Sequence, residues 1–263
     1  MSKYKAIVSD FDGTLVDHTH DLTPTAKEAI KKYVQDGGIF SIATGRAYQG
    51  AVEKVCKELG LSYLVIVRGG SEIVSAKTNT VVWGKYMNPT TVREVIATLD
   101  TENVFFAAER GEFIYSKQGQ AEKEFGANAS FKNIEEMPLD TVPKIVVIPV
   151  LPIEKAQLLL EMLTNKFPDL HIVKITGRNG FGVDINDGGA SKHIALLEYA
   201  KLMKLDPKEI IGVGDSYNDY PLLTACGLKI AMGNAPQELK DIADHIVGTQ
   251  EENGIIEVLE LNS

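Results

Sequence analysis

Short apolar runs alternate with longer stretches of helical period in the first third of the chain. Ala6-Ile7-Val8, Ile39-Phe40-Ser41-Ile42-Ala43 and Leu64-Val65-Ile66-Val67 are each bounded by turn residues and predict buried strands. Between the first two, Thr23-Pro24 reads as an N-cap followed by Pro at the first helical position. The helix that follows carries Ala26, Ala29, Ile30, Tyr33 and Val34 on one face and runs out at Gly37-Gly38. A second helix is predicted through Val52, Val55, Cys56 and Leu59. This βαβαβ order implies a parallel sheet with right-handed crossovers.

The pattern changes near residue 72. Glu72-Ile73-Val74 and Val81-Val82-Trp83 predict a hairpin around Thr78-Asn79, and Val104-Phe105-Phe106-Ala107 with Phe113-Ile114-Tyr115 predicts another around Gly111. Asn88-Pro89 opens a helix with Val92, Val95, Ile96 and Leu99. A strand over 144–149, a helix over 153–167 and strands over 171–175 and 181–185 complete an α+β module. Strand–helix alternation returns after Asp187-Gly188-Gly189, with strands predicted at 210–214, 229–232 and 245–247 and helices between them. The expected architecture is an α/β protein. Its core is a doubly wound, mainly parallel, Rossmann-like sheet built from residues 1–83 and 185–263, interrupted by an inserted α+β cap at 84–184.

Composition narrows the function classes. The chain has 263 residues, 44% hydrophobic and 24% charged, which suits a sizeable core. A net charge of -9 and a pI near 5.1 argue against nucleic acid as a partner, since that needs basic surface. No apolar stretch approaches a membrane span, and the N-terminus has no signal-peptide core, so a cytoplasmic location is expected. Cys56 and Cys226 sit in apolar-periodic surroundings and read as buried thiols, with a disulfide or a catalytic thiol as the alternatives.

The candidate chemistry lies where strands end. Asp10-Phe11-Asp12-Gly13-Thr14 places two carboxylates at the C-terminal end of the first strand, where open α/β sheets hold their ligands. Clustered carboxylates repel one another unless they share a cation, and Asp can also form an aspartyl-phosphate. A capped turn is the alternative. A calcium loop fits poorly, because Leu15 and Asp21 stand where that loop needs Gly and Glu. The strand at 39–43 ends in Thr44-Gly45-Arg46, a hydroxyl, a flexible backbone and a guanidinium suited to phosphate. The strand at 181–185 leads to Lys192 at a helix start, a place that favours an anion. The strand at 210–214 ends in Asp215-Ser216-Tyr217-Asn218-Asp219. Each is an ordinary turn by itself. Four strands inferred to share one sheet, all ending in metal- or phosphate-binding residue types, point to one convergent site.

These motifs, in this order, resemble those of the haloacid dehalogenase superfamily of phosphotransferases, and the resemblance covers essentially the whole chain. Asp10 through Thr14 is similar to the first motif, Thr44 to the second, Lys192 to the third and Gly214 through Asp219 to the fourth. The middle module, Ala43-Thr44-Gly45-Arg46 and Ala231-Met232-Gly233-Asn234-Ala235 resemble the Cof-like, class IIB sugar-phosphatase subfamily. One departure stands out: the usual Asn-Gly pair after the third strand is replaced by Arg68-Gly69-Gly70. Arg68 reads equally as a surface residue or an anion contact.

The resemblance implies a magnesium-dependent phosphatase acting on a small phosphorylated metabolite, such as a sugar phosphate. In that scheme Asp10 is the nucleophile and Asp12 the general acid and base, while Thr44 and Lys192 hold phosphoryl oxygens. Asp10, the backbone carbonyl of Asp12, and Asp215 would bind Mg²⁺, with Asp219 as ligand or support. Gly45, Arg46 and Asn218, and Arg178 and Asn179 on a turn between two strands of the middle module, are candidate substrate contacts. A phosphomutase and a phosphorylatable, non-turnover binding module are the alternative functions. His18 and His20, with Asp17 and Asp21, form a possible metal cluster in sequence, but their alternation in a loop reads as solvated residues. Oligomeric state is not legible in the chain.

Overall fold

The computed structural model describes residues 3–117, 130–177 and 180–262. It divides into two compact units, one formed by Met1–Trp83 with Lys192–Ser263 and the other by Gly84–Ser191.

In the first unit, strands β1 (Ala6–Ser9), β2 (Ile39–Ile42), β12 (Ile210–Gly214), β13 (Leu228–Ala231) and β14 (His245–Ile246) form a five-stranded sheet in the order β14-β13-β12-β1-β2. Every pairing in it is parallel. The C-terminal ends of these strands therefore lie along one edge, which is what gathers distant loops. The order places the oldest-numbered strand, β1, between β2 and β12, so the Asp10 turn is central.

Helices α1 (Pro24–Gln35) and α2 (Ala51–Leu59) follow the predicted amphipathic faces. The Thr23 hydroxyl caps α1 by accepting from the Ala26 N–H at 3.1 Å. Ile30, Val52, Val55, Cys56 and Leu59 are buried with Ile7, Phe40 and Ile42 in one apolar cluster. A second cluster joins Val8, Ile66, Ile73 and Ile210 to Leu196 and Tyr199 of helix α5 (Lys192–Met203). Cys56 and Cys226 are free and buried. Burial pushes the Cys56 thiol up to about 12, so at neutral pH it is an inert thiol.

Strand β3 (Leu64–Val67) departs from expectation. It pairs antiparallel with β4 (Glu72–Ser75) in a separate three-stranded sheet that ends in β5 (Thr80–Gly84). It still touches β2, through a parallel bridge from Ala43 to Ile66 and the Thr44 N–H on the Ile66 carbonyl at 2.9 Å. An apolar run fixes burial but not the partner it pairs with.

The second unit holds a six-stranded sheet in the order β10-β11-β9-β6-β7-β8. Its strands are β6 (Phe106–Arg110), β7 (Phe113–Ser116), β8 (Ser130–Asn133), β9 (Lys144–Leu151), β10 (Leu170–Gly177) and β11 (Gly180–Asp187). Helices α3 (Pro89–Thr101) and α4 (Ile153–Lys166) bury Val92, Val95, Leu99, Ala156, Leu159 and Leu163 against Phe106, Ile145, Val147 and Val183. Strand β8, with the sequence Ser-Phe-Lys-Asn, carries no apolar pattern and was not expected. It pairs parallel with β7.

Strand β11 corrects the sequence reading twice. It pairs with β9 and β10 as far as Asp187, so the first unit resumes at Lys192 and not at 185. It is therefore not a strand of the parallel sheet, and Lys192 does not follow a core strand end. Lys192 is instead the first residue of α5. The Arg178-Asn179 turn lies outside the described residues.

Candidate active site

Backbone bonds bring the four loops of the first unit together before any side chain is considered. The Asp10 N–H bonds to Val213 on β12 at 2.8 Å, the Ala43 N–H to Ser9 on β1 at 2.8 Å, and the Met232 N–H to Gly214 at 3.0 Å. Each strand end is thus tied to its neighbour's.

The side chains of Asp10, Lys192 and Asp219 meet in the interior. Lys192 donates to Asp10 Oδ1 at 2.5 Å and to Asp219 Oδ1 at 2.6 Å, and all three residues are buried. Asp219 Oδ2 accepts from the Asp215 and Ser216 N–H groups at 3.1 and 3.0 Å. Asp219 thereby folds its own loop and orients the lysine. Asp215 is held by the Thr14 hydroxyl, which donates to Oδ1 at 2.7 Å, and by Asn234 Nδ2, which donates to Oδ2 at 3.0 Å. The same Asn234 amide donates to the Gly13 carbonyl at 3.0 Å, joining the turn after β1 to the loop after β13.

The electrostatics are those of a site short of positive charge. Burial, then repulsion from Asp219, raises the Asp10 carboxyl well above its ordinary range, with Lys192 offsetting only part. Burial and Asp219 push Asp215 up to about 7. Burial pulls Lys192 down, but Asp10 and Asp219 more than offset it, so the ammonium stays charged. One lysine faces three carboxylates. Oxygens of Asp10, Asp215 and Asp219 lie within 4.8 Å of one another. An all-oxygen, carboxylate-rich set is what a hard divalent cation such as Mg²⁺ takes, and it lacks the His and Cys donors of a zinc site. The residues fit the metal.

Asp12 is paired differently, although its charge adds to the upward push on Asp215. Its carboxylate receives Arg46 Nε at 2.6 Å and Arg46 Nη2 at 2.7 Å, a two-point pair. Arg46, expected on substrate, therefore has its guanidinium on Asp12. The buried Thr44 hydroxyl accepts from the Arg46 N–H at 3.1 Å, and the Thr44 carbonyl accepts from the Gly69 N–H at 2.9 Å. Gly45 lies in this loop, half-buried. Asn218 accepts from the Ser216 hydroxyl at 2.6 Å.

Four side chains have places that sequence reading did not give them. Thr14 and Asn234 were visible only as motif members, and their contact with Asp215 depends on strand order. Arg68 is neither at the surface nor open to an anion: it is buried, at φ 52, and pairs with the buried Glu72. His20 is half-buried against Arg46 and not simply solvated.

A family model described as haloacid dehalogenase-like hydrolase matches residues 7–259. The phosphoglycolate phosphatase of Methanoculleus marisnigri is 26% identical over 257 residues, covering 97% of this chain and 95% of that protein. The 5-amino-6-(5-phospho-D-ribitylamino)uracil phosphatase YcsE of Bacillus subtilis is 25% identical, covering 97% and 94%. The solved HAD subclass IIB sugar phosphatase BT4131 shares the fold at a TM-score of 0.79 and 20% identity, covering 97% of this chain and 98% of its own. Among the described residues no helix is long and apolar enough to cross a membrane. The chain belongs to the haloacid dehalogenase-like hydrolases and, within them, to the Cof-like phosphatases, enzymes that hydrolyse phosphoric monoesters.

Proposed function

We propose that this protein is a Mg²⁺-dependent phosphatase that hydrolyses a small phosphate monoester, a sugar phosphate, through an aspartyl-phosphate on Asp10. The observation that carries the reading is the buried Asp10–Lys192–Asp219 chain beside Asp215, with Asp12 two residues from the nucleophile.

A carboxylate approaching a phosphate oxygen meets repulsion of about 4 kcal/mol per charge pair at 4 Å and an effective dielectric near 20. Lys192 supplies one compensating charge at the point of attack. Asp10, Asp215 and the Asp12 backbone carbonyl would hold Mg²⁺, with Asp219 supporting them, and the ion would supply Lewis-acid neutralisation of the phosphoryl charge. Asp10 attacks phosphorus as the bond to the alcohol oxygen breaks, and Asp12 gives that oxygen a proton. Asp12 then takes a proton from water as the water oxygen attacks phosphorus, which releases inorganic phosphate and restores Asp10. The Thr44 hydroxyl and Lys192 hold phosphoryl oxygens throughout. The inserted unit at 84–191 contributes no residue to these steps and is assigned the choice of alcohol, with Arg178 and Asn179 among its candidates. The cytoplasm is the expected location.

The test is phosphate release from a panel of sugar phosphates, nucleotides and cofactor phosphates, with Mg²⁺ and with chelator. Release from a sugar phosphate should require Mg²⁺ and be inhibited by Ca²⁺, whose looser coordination misplaces the phosphoryl group. Undiminished release after exhaustive chelation would overturn the metal assignment. A single phosphorylation without turnover would favour the binding module.

A further inference from the structure

The Asp12–Arg46 pair has a third member. Arg46 Nη2 lies 2.7 Å from His20 Nε2. A guanidinium cannot accept a hydrogen bond, so His20 must be the acceptor, with its ring proton on Nδ1. The imidazole is therefore neutral in this contact. Burial, then the Arg46 charge, lowers its pKa and keeps it so, against the opposing pull of Asp12, Asp17 and Asp21.

His20 is presented by a built turn. The Asp17 carboxylate accepts from the Thr19 N–H at 2.7 Å and the Asp21 N–H at 3.2 Å, and the His20 N–H bonds to the Asp17 carbonyl at 3.0 Å. Lys54 on α2 pins the turn through Asp21 at 3.0 Å. The turn sets His20 at φ 65, a left-handed conformation uncommon for a residue with a side chain. The guanidinium has a second aromatic neighbour, since the Arg46 carbon lies 6.0 Å from the Phe11 ring centroid.

The Nε and Nη2 edge of Arg46 is committed as a result. Nε and one Nη2 hydrogen hold the two Asp12 oxygens, and the other Nη2 hydrogen is taken by His20. Asp12 itself is half exposed, with a side chain 45% accessible. Packing alone does not fix such a carboxylate, so the fork is what sets where its oxygens lie.

We propose that His20 is a positioning residue for proton transfer, accepting a hydrogen bond from Arg46 and so fixing the guanidinium that holds the general acid and base Asp12. The proposal rests on the phosphatase reading above. Its signature is dependence on the leaving group. An alkoxide needs the proton from Asp12, whereas nitrophenolate leaves without it. The parameter kcat/KM reports the steps through departure of the alcohol, and a misplaced Asp12 therefore lowers it selectively for alkyl esters.

The experiment compares His20→Ala, His20→Gln, Arg46→Ala and Arg46→Lys with wild type, on an alkyl phosphate and on p-nitrophenyl phosphate, with Mg²⁺ present. His18→Ala, on the exposed neighbour in the same loop, is the control and should match wild type. His20→Ala should lower kcat/KM about tenfold for the alkyl ester and less than about twofold for the aryl ester, within the range of acid–base contributions. His20→Gln keeps an acceptor and should restore most of the loss. Arg46→Ala should cost the alkyl ester more than His20→Ala does, and Arg46→Lys should not rescue it, because an ammonium lacks the fork. Equal losses on both esters, or a Gln variant no better than Ala, would overturn the relay while leaving the phosphatase reading intact. A wild type inactive on both esters would overturn that reading and this proposal with it.

Discussion

Thr14 and Asn234 show how much of the site is decided one residue at a time. Both donate to Asp215, one to each oxygen, and both come from loops remote from it in sequence. A hydrogen bond to a charged group contributes roughly 1.5–3 kcal/mol, so each should matter to cation affinity. Thr14→Val keeps the volume and removes the donor. It and Asn234→Ala should each raise the Mg²⁺ concentration for half-maximal rate by about tenfold, as such a bond energy implies. Titrating initial rates with Mg²⁺ measures this; half-saturation unchanged in both variants would remove Asp215 from the metal site. Arg68 gives a contrasting lesson. Its surroundings, a buried Glu72 and a left-handed backbone, are invisible in the Arg68-Gly69-Gly70 segment where the usual Asn-Gly is missing.

At the scale of elements, what was legible follows from what generates it. The strands β1, β2 and β12 and the helices α1, α2 and α5 carry their own burial pattern, α1 with a Thr23 cap besides, and they lie within a residue or two of where the pattern places them. The loops after β1, β2 and β12 were legible as well, because parallel strands must end on one edge. Pairing was not legible. Strand β3 joined β4, β11 joined β9, and β8 formed from a polar segment, because hydrogen-bond partners are chosen by tertiary context and not by apolar runs. This is why Lys192 was credited to a core strand. It reaches Asp10 from the first residue of α5, where its charge would repel the helix dipole unless carboxylates faced it. The same limit hid Asn234: its loop follows β13, whose place beside β12 is a fact of sheet order.

Across the whole molecule, the acidic site makes stability and metal binding depend on pH in a definite direction. Asp215 is pushed up to about 7 in the folded protein, against about 3.9 for a free Asp side chain. Between those values the folded state holds more protons than the unfolded chain, so this group lowers stability as the pH rises. Asp10 shifts the same way. In chelator, Asp215→Asn should therefore gain stability relative to wild type as the pH goes from about 5 to 8, since the amide does not ionise. Denaturant unfolding at both pH values checks this. Parallel behaviour of the two proteins would show that Asp215 carries no raised pKa. Mg²⁺ should stabilise wild type more at the upper pH, where it no longer competes with the proton.

The central claim is that Asp10 becomes phosphorylated during turnover, and the direct measurement is mass-spectrometric mapping of protein quenched in acid within the first turnover. With Mg²⁺ and a substrate that turns over, the phosphoryl group should be found on the peptide carrying Asp10 and should be absent from Asp10→Asn, which should retain the fold and lose turnover. Phosphate on any other residue, or an Asp10→Asn enzyme that still turns over, would contradict the account.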